Sequence, residues 1–199
     1  TFYFLANHTV PGLDGHYSID ELRIRALMRR IHQRGHEIGL HGSYATYRNS
    51  EQMATENVKL RQVMAEEGIN QTIIGARQHY LRWASMETAE HMEAAGVVYD
   101  SSLSFADHPG FRCGTAQTFP LYNPMKRRAL NLLERPLIVM ECSVLAEKYL
   151  GVTDPGEALA VVSELKEKAN RYGGSFGLLW HNSYFATPDL RELYSKIIQ

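Results

Sequence analysis

The sequence predicts an α/β fold with a parallel sheet, because short apolar strand patterns alternate with amphipathic helix patterns along the chain. The strand patterns are continuous apolar runs, as in 136–142 (PLIVMEC), which is typical of strands that are covered on both faces. No glycine-rich G-x-G-x-x-G turn follows the first run at 2–5. The sequence patterns predict about seven strands. Because of this number and the missing glycine-rich turn, we predict a closed barrel rather than an open nucleotide-binding sheet.

The elements follow each other in a regular order. Ser18 and Glu21 have the spacing of a capping box, Thr153 or Asp154 followed by Pro155 is typical of a helix start, and 123–131 is basic and predicts a loop. The predicted strands are 2–5, 36–41, 72–76, 97–99, 118–122, 136–142 and 175–181. The predicted helices lie within 18–35, 49–68, 86–95, 153–174 and 187–198. The first two helices have apolar stripes, formed by Leu22, Leu27, Met28 and Ile31 and by Met53, Leu60, Val63 and Met64.

Composition and net charge give no sign that the chain binds nucleic acid or a membrane. The chain has 199 residues and a formal net charge of −1, which gives no indication of a nucleic-acid or anionic-membrane partner. No stretch approaches the ~20 apolar residues of a membrane-spanning helix. No linker divides the sequence, so we predict one domain over 1–199. The oligomeric state stays open.

The cysteines and the beginning of the sequence give two further expectations. Cys113 and Cys142 lie in apolar runs, so we expect buried free thiols, which favours a cytoplasmic location. The chain begins inside a strand pattern and without Met, so we expect the natural protein to extend before Thr1.

Polar side chains end four of the predicted strands, namely His41, Arg77, Asp100 and His181. Because parallel barrels carry their chemistry at the carboxyl ends of strands, these residues are candidates for catalysis. Each also fits a structural role. Either histidine could be a hydrogen-bonded strand end, Arg77 could pair with Glu37, and Asp100 could cap a turn.

The order of motifs resembles the polysaccharide deacetylases, the superfamily of chitooligosaccharide deacetylases (carbohydrate esterase family four). The segment 34–44 (RGHEIGLHGSY) is similar to the family's GHEIGNHTxxH block and is the most specific match. The segments 1–6 (TFYFLA), 75–83 (GARQHYLRW) and 177–183 (GLLWHNS) resemble the family's ATFFV, RxPY and LLHD motifs. The resemblance spans nearly the whole chain.

This resemblance implies a distorted (β/α)7 TIM-like barrel that hydrolyses a carbon–nitrogen (amide) bond, removing the acetyl group of an N-acetylated saccharide. It implies a divalent metal, usually zinc, held by an aspartate and two histidines, which polarises the carbonyl and activates water. By position, His41 becomes a metal ligand, His181 the general acid, and Arg77 the arginine that orients a catalytic aspartate. Asp100 is a looser match that tunes His181 or contacts substrate.

The sequence departs from the family pattern at two places. Ala45 stands where the family has its second metal histidine, and the family's adjacent aspartates would lie before Thr1. His79, two residues beyond Arg77, is our candidate for the replacement ligand.

Substrate contacts and competing functions complete the prediction. Tyr44 and Tyr80 could stack on a sugar ring, and Arg112, in the glycine-containing segment 110–115, could hold a carboxylate or phosphate. A metal-independent, allantoinase-like amidase on the same fold is the first alternative. A catalytically inactive barrel that binds carbohydrate is the second.

Overall fold

The structure is a computed structural model that describes residues 1–199, which divide into two compact units. The first unit comprises Thr1–Ser102 and Phe119–Glu134, and the second comprises Leu103–Thr118 and Arg135–Gln199. The strands β1 to β8 are Phe2–Leu5, Ile38–Gly42, Gly75–Gln78, Tyr99–Asp100, Phe119–Asn123, Arg128–Glu134, Val139–Met140 and Leu178–Leu179. The helices α1 to α6 are Leu22–Gln33, Ser50–Glu66, Glu87–Ala94, Glu141–Leu145, Pro155–Arg171 and Pro188–Ile198.

The first unit is built on a six-stranded sheet in the order β1-β2-β3-β4-β6-β5. Strands β1, β2, β3, β4 and β6 are parallel, and β5 pairs antiparallel with β6. Strands β7 and β8 form a separate parallel pair in the second unit. The predicted α/β class with mostly parallel strands is therefore confirmed, whereas strand pairing does not close into a barrel.

Helices α1, α2 and α3 cover one face of the sheet in the first unit. Alternate strand residues point toward them, including Phe4, Leu40, Ala76 and Leu132, all of them buried. Burial of such side chains is worth about 1.5–3 kcal/mol each for the large ones. The predicted stripe of α2 is buried as expected, with Met53, Leu60, Val63 and Met64 all in the core.

The opposite face of the sheet holds aromatic rings over glycines. A Cβ at Gly39 would lie 2.6 Å from the Tyr3 ring, and a Cβ at Gly75 would lie 2.0 Å from the Tyr99 ring. Glycine is thus required at both positions for the rings to lie against the strands. His41 and Arg77 follow on this same face, two residues beyond Gly39 and Gly75, because side chains alternate along a strand.

Three local predictions are wrong. The segment 123–131, predicted as a loop, contains the start of β6, where Leu130, Leu132 and Glu134 alternate inward with period two. In α1, Leu22 is 86% exposed and Leu27 is 40% exposed, so only Met28 and Ile31 of its predicted stripe are buried.

The third wrong prediction is the burial of the two cysteines. Cys113 and Cys142 form no disulfide, as predicted, but they are half-buried rather than buried.

The second unit packs α5 and α6 against the β7–β8 pair. Its core contains Val139, Val162, Leu193 and Ile197. As the sequence predicts, Asp154 caps α5, accepting a hydrogen bond of 2.8 Å from the Glu157 backbone N–H. None of the helices is long and apolar enough to cross a membrane.

Candidate active site

Two clusters of reactive side chains lie at the carboxyl ends of strands, one in each unit. In the first unit, His41 of β2 is in register with Leu5 of β1 and with Arg77 of β3. Asp100 of β4 is in register with Ala76. The structure therefore brings three of the four predicted strand-end residues to one edge of one sheet, as parallel pairing requires.

His41 and His79 contact each other directly. His79 Nδ1 lies 2.9 Å from His41 Nε2, and the rings are nearly perpendicular with centroids 4.9 Å apart. The outer nitrogens contact backbone carbonyls: His41 Nδ1 lies 2.8 Å from the Arg77 oxygen, and His79 Nε2 lies 2.7 Å from the Leu13 oxygen. Both imidazoles are thereby fixed in orientation.

The predicted zinc site can be compared with these residues. Outer nitrogens on carbonyls are typical of metal-bound histidines, but the inner contact of 2.9 Å is a hydrogen-bond distance. Two imidazoles on one tetrahedral zinc would place their nitrogens about 3.3 Å apart. No group of three or more histidine, cysteine, aspartate or glutamate side chains is arranged to hold a metal. The residues present do not fit a three-ligand zinc site, and we derive no step through a metal.

Arg77 is oriented by backbone and ring contacts. Its Nε donates to the Ser101 carbonyl and its Nη2 to the Ser101 hydroxyl, both at 2.9 Å, while the guanidinium carbon lies 4.6 Å from the Tyr3 ring centroid. The structural alternative in which Arg77 pairs with Glu37 is not observed; Glu37 accepts hydrogen bonds from Thr1 and Tyr99.

Asp100 is fully buried on the helix-covered face. Its carboxylate accepts hydrogen bonds from the Ser102 backbone N–H at 2.8 Å and the Ser102 hydroxyl at 2.6 Å, so it caps a turn. Burial raises the pKa of Asp100 above its ordinary value of 3.8, and hydrogen bonds from Ser102 and Glu134 and the charge of Arg77 oppose that rise.

Two buried carboxylates that sequence reasoning missed fix the loops around His41 and His79. Asp14 accepts from the backbone N–H groups of Thr9, Val10 and Tyr44, at 2.7, 2.9 and 2.8 Å. Burial acts to raise its pKa, but these bonds together hold the pKa of Asp14 below 3.8. Asp14 therefore joins the loop after β1 to the loop after β2.

Glu56, fully buried on α2, holds the same loop from the other side. It accepts from the Ser43 backbone N–H at 3.0 Å, from the Ser43 hydroxyl, from the Thr46 hydroxyl at 3.0 Å and from the Gln52 amide at 2.8 Å. Both of its oxygens accept hydrogen bonds, which is the condition for a carboxylate to be stable in a core.

The predicted substrate residues Tyr44 and Tyr80 also lie together. Their rings meet edge to face at 5.5 Å, and the Arg82 guanidinium lies 3.9 Å from the Tyr44 ring centroid. Tyr80 is 62% exposed and has a φ of +57°, a left-handed conformation that is costly for a tyrosine. An exposed ring held in a strained backbone next to His79 is a plausible contact surface for a ligand.

The cluster of the second unit consists of His181 and Glu141. His181 Nδ1 makes a short hydrogen bond to Oε1 of Glu141, whose side chain is fully buried, while the His181 side chain is 49% exposed. Because Nδ1 faces the carboxylate, the ring can present Nε2 outward. Burial and then the Glu141 carboxylate raise the pKa of the neighbouring Cys142 thiol, which disfavours a thiolate nucleophile there.

Arg112, the third predicted substrate residue, belongs to the second unit. Its Nη1 donates to the Ser104 carbonyl at 2.7 Å. The predicted roles of Arg112 toward substrate and of Asp100 toward His181 stay predictions; the carboxylate that contacts His181 is Glu141.

Glu141 could have been found from the sequence. It directly follows the apolar run 137–140, as His181 follows the run ending at Trp180, and β7 and β8 are parallel neighbours with Met140 opposite Leu179. The rule that selected four strand-end residues therefore applies to a fifth. Asp14 and Glu56 gave no such signal, because one lies in a loop and the other on a helix.

Comparison with known proteins supports the fold. No protein-family model and no curated protein matches the sequence. A crystal structure from Mycobacterium smegmatis, described as a "putative polysaccharide deacetylase", is similar with a TM-score of 0.61 and 19% identity. The match covers 88% of this chain and 60% of that one, so this chain spans less than two thirds of its length. At this identity the likeness shows the fold, a mixed α/β architecture with a mostly parallel central sheet.

Proposed function

We propose that this chain hydrolyses a carbon–nitrogen bond, removing the acetyl group of an N-acetylated saccharide. The observation that carries the proposal is the His181–Glu141 pair at the carboxyl ends of β7 and β8. A buried carboxylate that holds Nδ1 fixes the orientation of the ring and leaves Nε2 for proton transfer. The fold shared with a structure described as a deacetylase supports the choice of reaction.

In the reaction, water attacks the amide carbonyl, the carbonyl oxygen becomes negative, and the amine leaves with a proton. We propose that His181 Nε2 takes a proton from the attacking water and delivers it to the leaving amine, so that hydrolysis of an acetamido group yields acetate and a free amine and returns His181 to its starting state. General acid catalysis of this kind contributes about 10²–10⁴-fold to the rate.

For the first unit, we propose roles in binding and charge stabilisation. Tyr44 and Tyr80 provide ring faces and edges for a sugar, since stacking on aromatic rings suits the apolar faces of pyranoses. Arg77, whose guanidinium donates to Ser101 and lies on the Tyr3 ring, offers positive charge to an anionic group of a ligand that the first unit binds.

A metal-independent amidase is the second candidate, and one observation favours it. The residue pair that the resemblance implies for a metal, His41 and His79, is closed by a hydrogen bond between its inner nitrogens. In that case the substrate could be a small cyclic amide instead of an acetylated sugar.

Release of acetate from N-acetylglucosamine oligomers, measured with the purified chain, tests the proposal. We expect release that depends on His181, with His181→Ala inactive and His108→Gln, an exposed histidine on a loop, unaffected. Hydrolysis of cyclic ureides without acetate release would favour the second candidate. Saturable oligomer binding with neither reaction would indicate a carbohydrate-binding module and contradict the enzyme proposal.

A further inference from the structure

Arg82 joins the turn that carries Tyr80 to the loop that carries Tyr44. Its Nη1 donates to the Tyr44 carbonyl oxygen and its Nη2 to the Tyr47 hydroxyl, both at 2.8 Å. Its guanidinium carbon lies 3.9 Å from the Tyr44 ring centroid and 4.0 Å from the Tyr47 ring centroid. An arginine can stack on rings and donate from a planar fork at the same time, which a lysine cannot. Both terminal nitrogens of Arg82 thus bind groups of the chain itself.

The turn that ends at Arg82 has a backbone that most side chains disfavour. The Arg82 backbone N–H donates to the His79 carbonyl oxygen at 3.3 Å, which closes a four-residue turn over His79–Arg82. Its two central residues, Tyr80 and Leu81, have φ of +57° and +52°. Glycine is the usual residue in this left-handed region, because a Cβ there lies too close to the backbone. Contacts from outside the turn must therefore hold Tyr80 and Leu81 in this conformation.

The left-handed turn brings two aromatic rings together at the surface. Tyr80 is 62% exposed, and its ring meets the Tyr44 ring edge to face with the centroids 5.5 Å apart. Because the direction of a side chain follows from its backbone dihedral angles, a turn that relaxed to the right-handed region would point the Tyr80 ring elsewhere. The contact of the two rings thus depends on the conformation of the turn.

We propose that Arg82 is a positioning residue for the saccharide contact in the first unit. It keeps the turn left-handed by holding Tyr44 and Tyr47, and so fixes the Tyr80 ring against the Tyr44 ring. Arg82 acts through these rings and does not itself bind the ligand, because both of its terminal nitrogens already bind the chain. The ring arrangement is a property of the free chain, whereas its use in binding a sugar rests on the proposed function.

The ring contact can be measured without a ligand. Nuclear Overhauser cross-peaks between the Tyr44 and Tyr80 rings, recorded on protein labelled at tyrosine, report it directly. We expect these cross-peaks in the unchanged chain and expect their loss in Arg82→Met, which keeps an apolar stem and removes the fork. Arg48→Met is the matched control, because Arg48 is exposed and its guanidinium carbon lies 5.6 Å from the Tyr47 ring centroid. It should leave the cross-peaks in place.

The change Leu81→Gly separates positioning from direct contact with the ligand. Glycine adopts positive φ without the cost of a Cβ, so the turn in the double variant Leu81→Gly/Arg82→Met needs less support from outside. We expect this double variant to regain the ring cross-peaks and most of the affinity that Arg82→Met loses. Arg82→Lys, which keeps the charge but cannot bridge both acceptors, replaces Arg82→Met if that variant does not fold, and it should lose the cross-peaks as well.

Affinity for N-acetylglucosamine oligomers, measured by calorimetry, tests the use of this arrangement. We expect the affinity to fall about 3- to 10-fold in Arg82→Met, with the number of sites per chain unchanged, and to stay the same in Arg48→Met. A purely structural role would instead lower the number of sites, because fewer chains would be folded, and would leave the affinity of the remaining sites as it was.

Cross-peaks that persist in Arg82→Met would overturn the proposal, and so would their absence from the unchanged chain. Lost cross-peaks with unchanged affinity, or a double variant that recovers neither, would overturn it too. No binding of oligomers by the unchanged chain would contradict the proposed function and not the ring positioning, which the cross-peaks decide alone.

Discussion

The histidine of the second unit and the histidine pair of the first unit differ in what their rings contact. His181 uses one nitrogen on the buried Glu141 carboxylate, and its side chain is half exposed. His41 and His79 use all four of their ring nitrogens on each other and on backbone carbonyls. An imidazole with a free nitrogen can transfer a proton to a ligand, whereas a ring with both nitrogens bonded is held in place by its partners. The contacts of each ring, not the residue type, therefore separate a candidate acid–base group from a pair that joins two strands and a loop.

The largest effect is expected when the carboxylate partner of His181 is removed. Glu141→Gln should lower kcat/KM for acetate release by about 10²-fold or more, nearly as much as His181→Ala, because the ring loses the carboxylate that accepts from Nδ1 and holds Nε2 in place for proton transfer. The double variant should be little worse than either single one, since the two residues act as a unit.

Glu147→Gln, an exposed glutamate six positions further on, should keep full activity. Additive losses in the double variant would show that Glu141 and His181 act independently and would remove the basis for comparing the two sites.

The next largest effect concerns the loop that follows His41. Glu56→Ala should lower the free energy of unfolding by roughly 2–4 kcal/mol, because the Ser43 N–H, two hydroxyls and an amide lose a buried acceptor. Urea denaturation measures the change. Glu51→Ala, at an exposed position in the same helix, should cost less than about 1 kcal/mol. Equal costs would mean that the buried network does not stabilise the loop.

Asp100 and Asp14 should give pH dependences of opposite sign. The folded-state pKa of Asp100 is raised, so its stabilising contribution is complete below 3.8 and is lost as pH rises toward the folded value. One such group changes the free energy of unfolding by up to about 1.4 kcal/mol per pH unit within that window. The pKa of Asp14 is lowered, so its contribution is present above 3.8 and is lost as pH falls through the folded value.

Urea midpoints measured from about pH 4 to pH 8 separate the two carboxyl groups. Asp100→Asn should flatten the decline toward high pH, and Asp189→Asn, an exposed change on α6, should not alter it. An unchanged slope in Asp100→Asn would show that Asp100 ionises normally in the folded protein.

The smallest effect is expected at Tyr80. Tyr80→Gly relieves the left-handed strain at φ +57° but removes the ring next to His79 and Tyr44, so the free energy of unfolding should change by less than about 1 kcal/mol. Affinity for N-acetylglucosamine oligomers, measured by calorimetry, should fall about 3- to 10-fold if the ring stacks on sugar. Tyr172→Gly, at an exposed tyrosine of the second unit, is the control. Unchanged affinity in Tyr80→Gly would rule out Tyr80 as a sugar contact.

Sequence reasoning succeeded where one local pattern determines the outcome. Helix α5, with Asp154 at its cap and Pro155 at its first position, and the polar ends of β2 and β8 follow from capping and strand periodicity alone. It failed where the outcome depends on partners distant in sequence. The basic segment 123–131, predicted as a loop, contains the start of β6 because β5 and β6 pair. Leu22 and Leu27 of the predicted apolar stripe are exposed because the rest of the fold does not cover them.

The candidate site shows the same division. His41 and His79 were selected from the sequence, but their mutual contact depends on carbonyls at Arg77 and Leu13, which no residue type reveals. Glu141 was missed although its position after an apolar run is visible, because its role depends on the pairing of β7 with β8. The sequence thus identifies residues with reactive side chains, whereas the groups that these side chains contact are known only once the fold is known.

The rate of acetate release from N-acetylglucosamine oligomers, measured with a strong chelator present and then with zinc added in excess, tests the account most directly. If His181 transfers the proton with Glu141 holding its ring, and the reaction does not need a metal at His41 and His79, the rate is the same in both conditions and is lost in Glu141→Gln. A rate that falls to background with chelator and returns with stoichiometric zinc would contradict it.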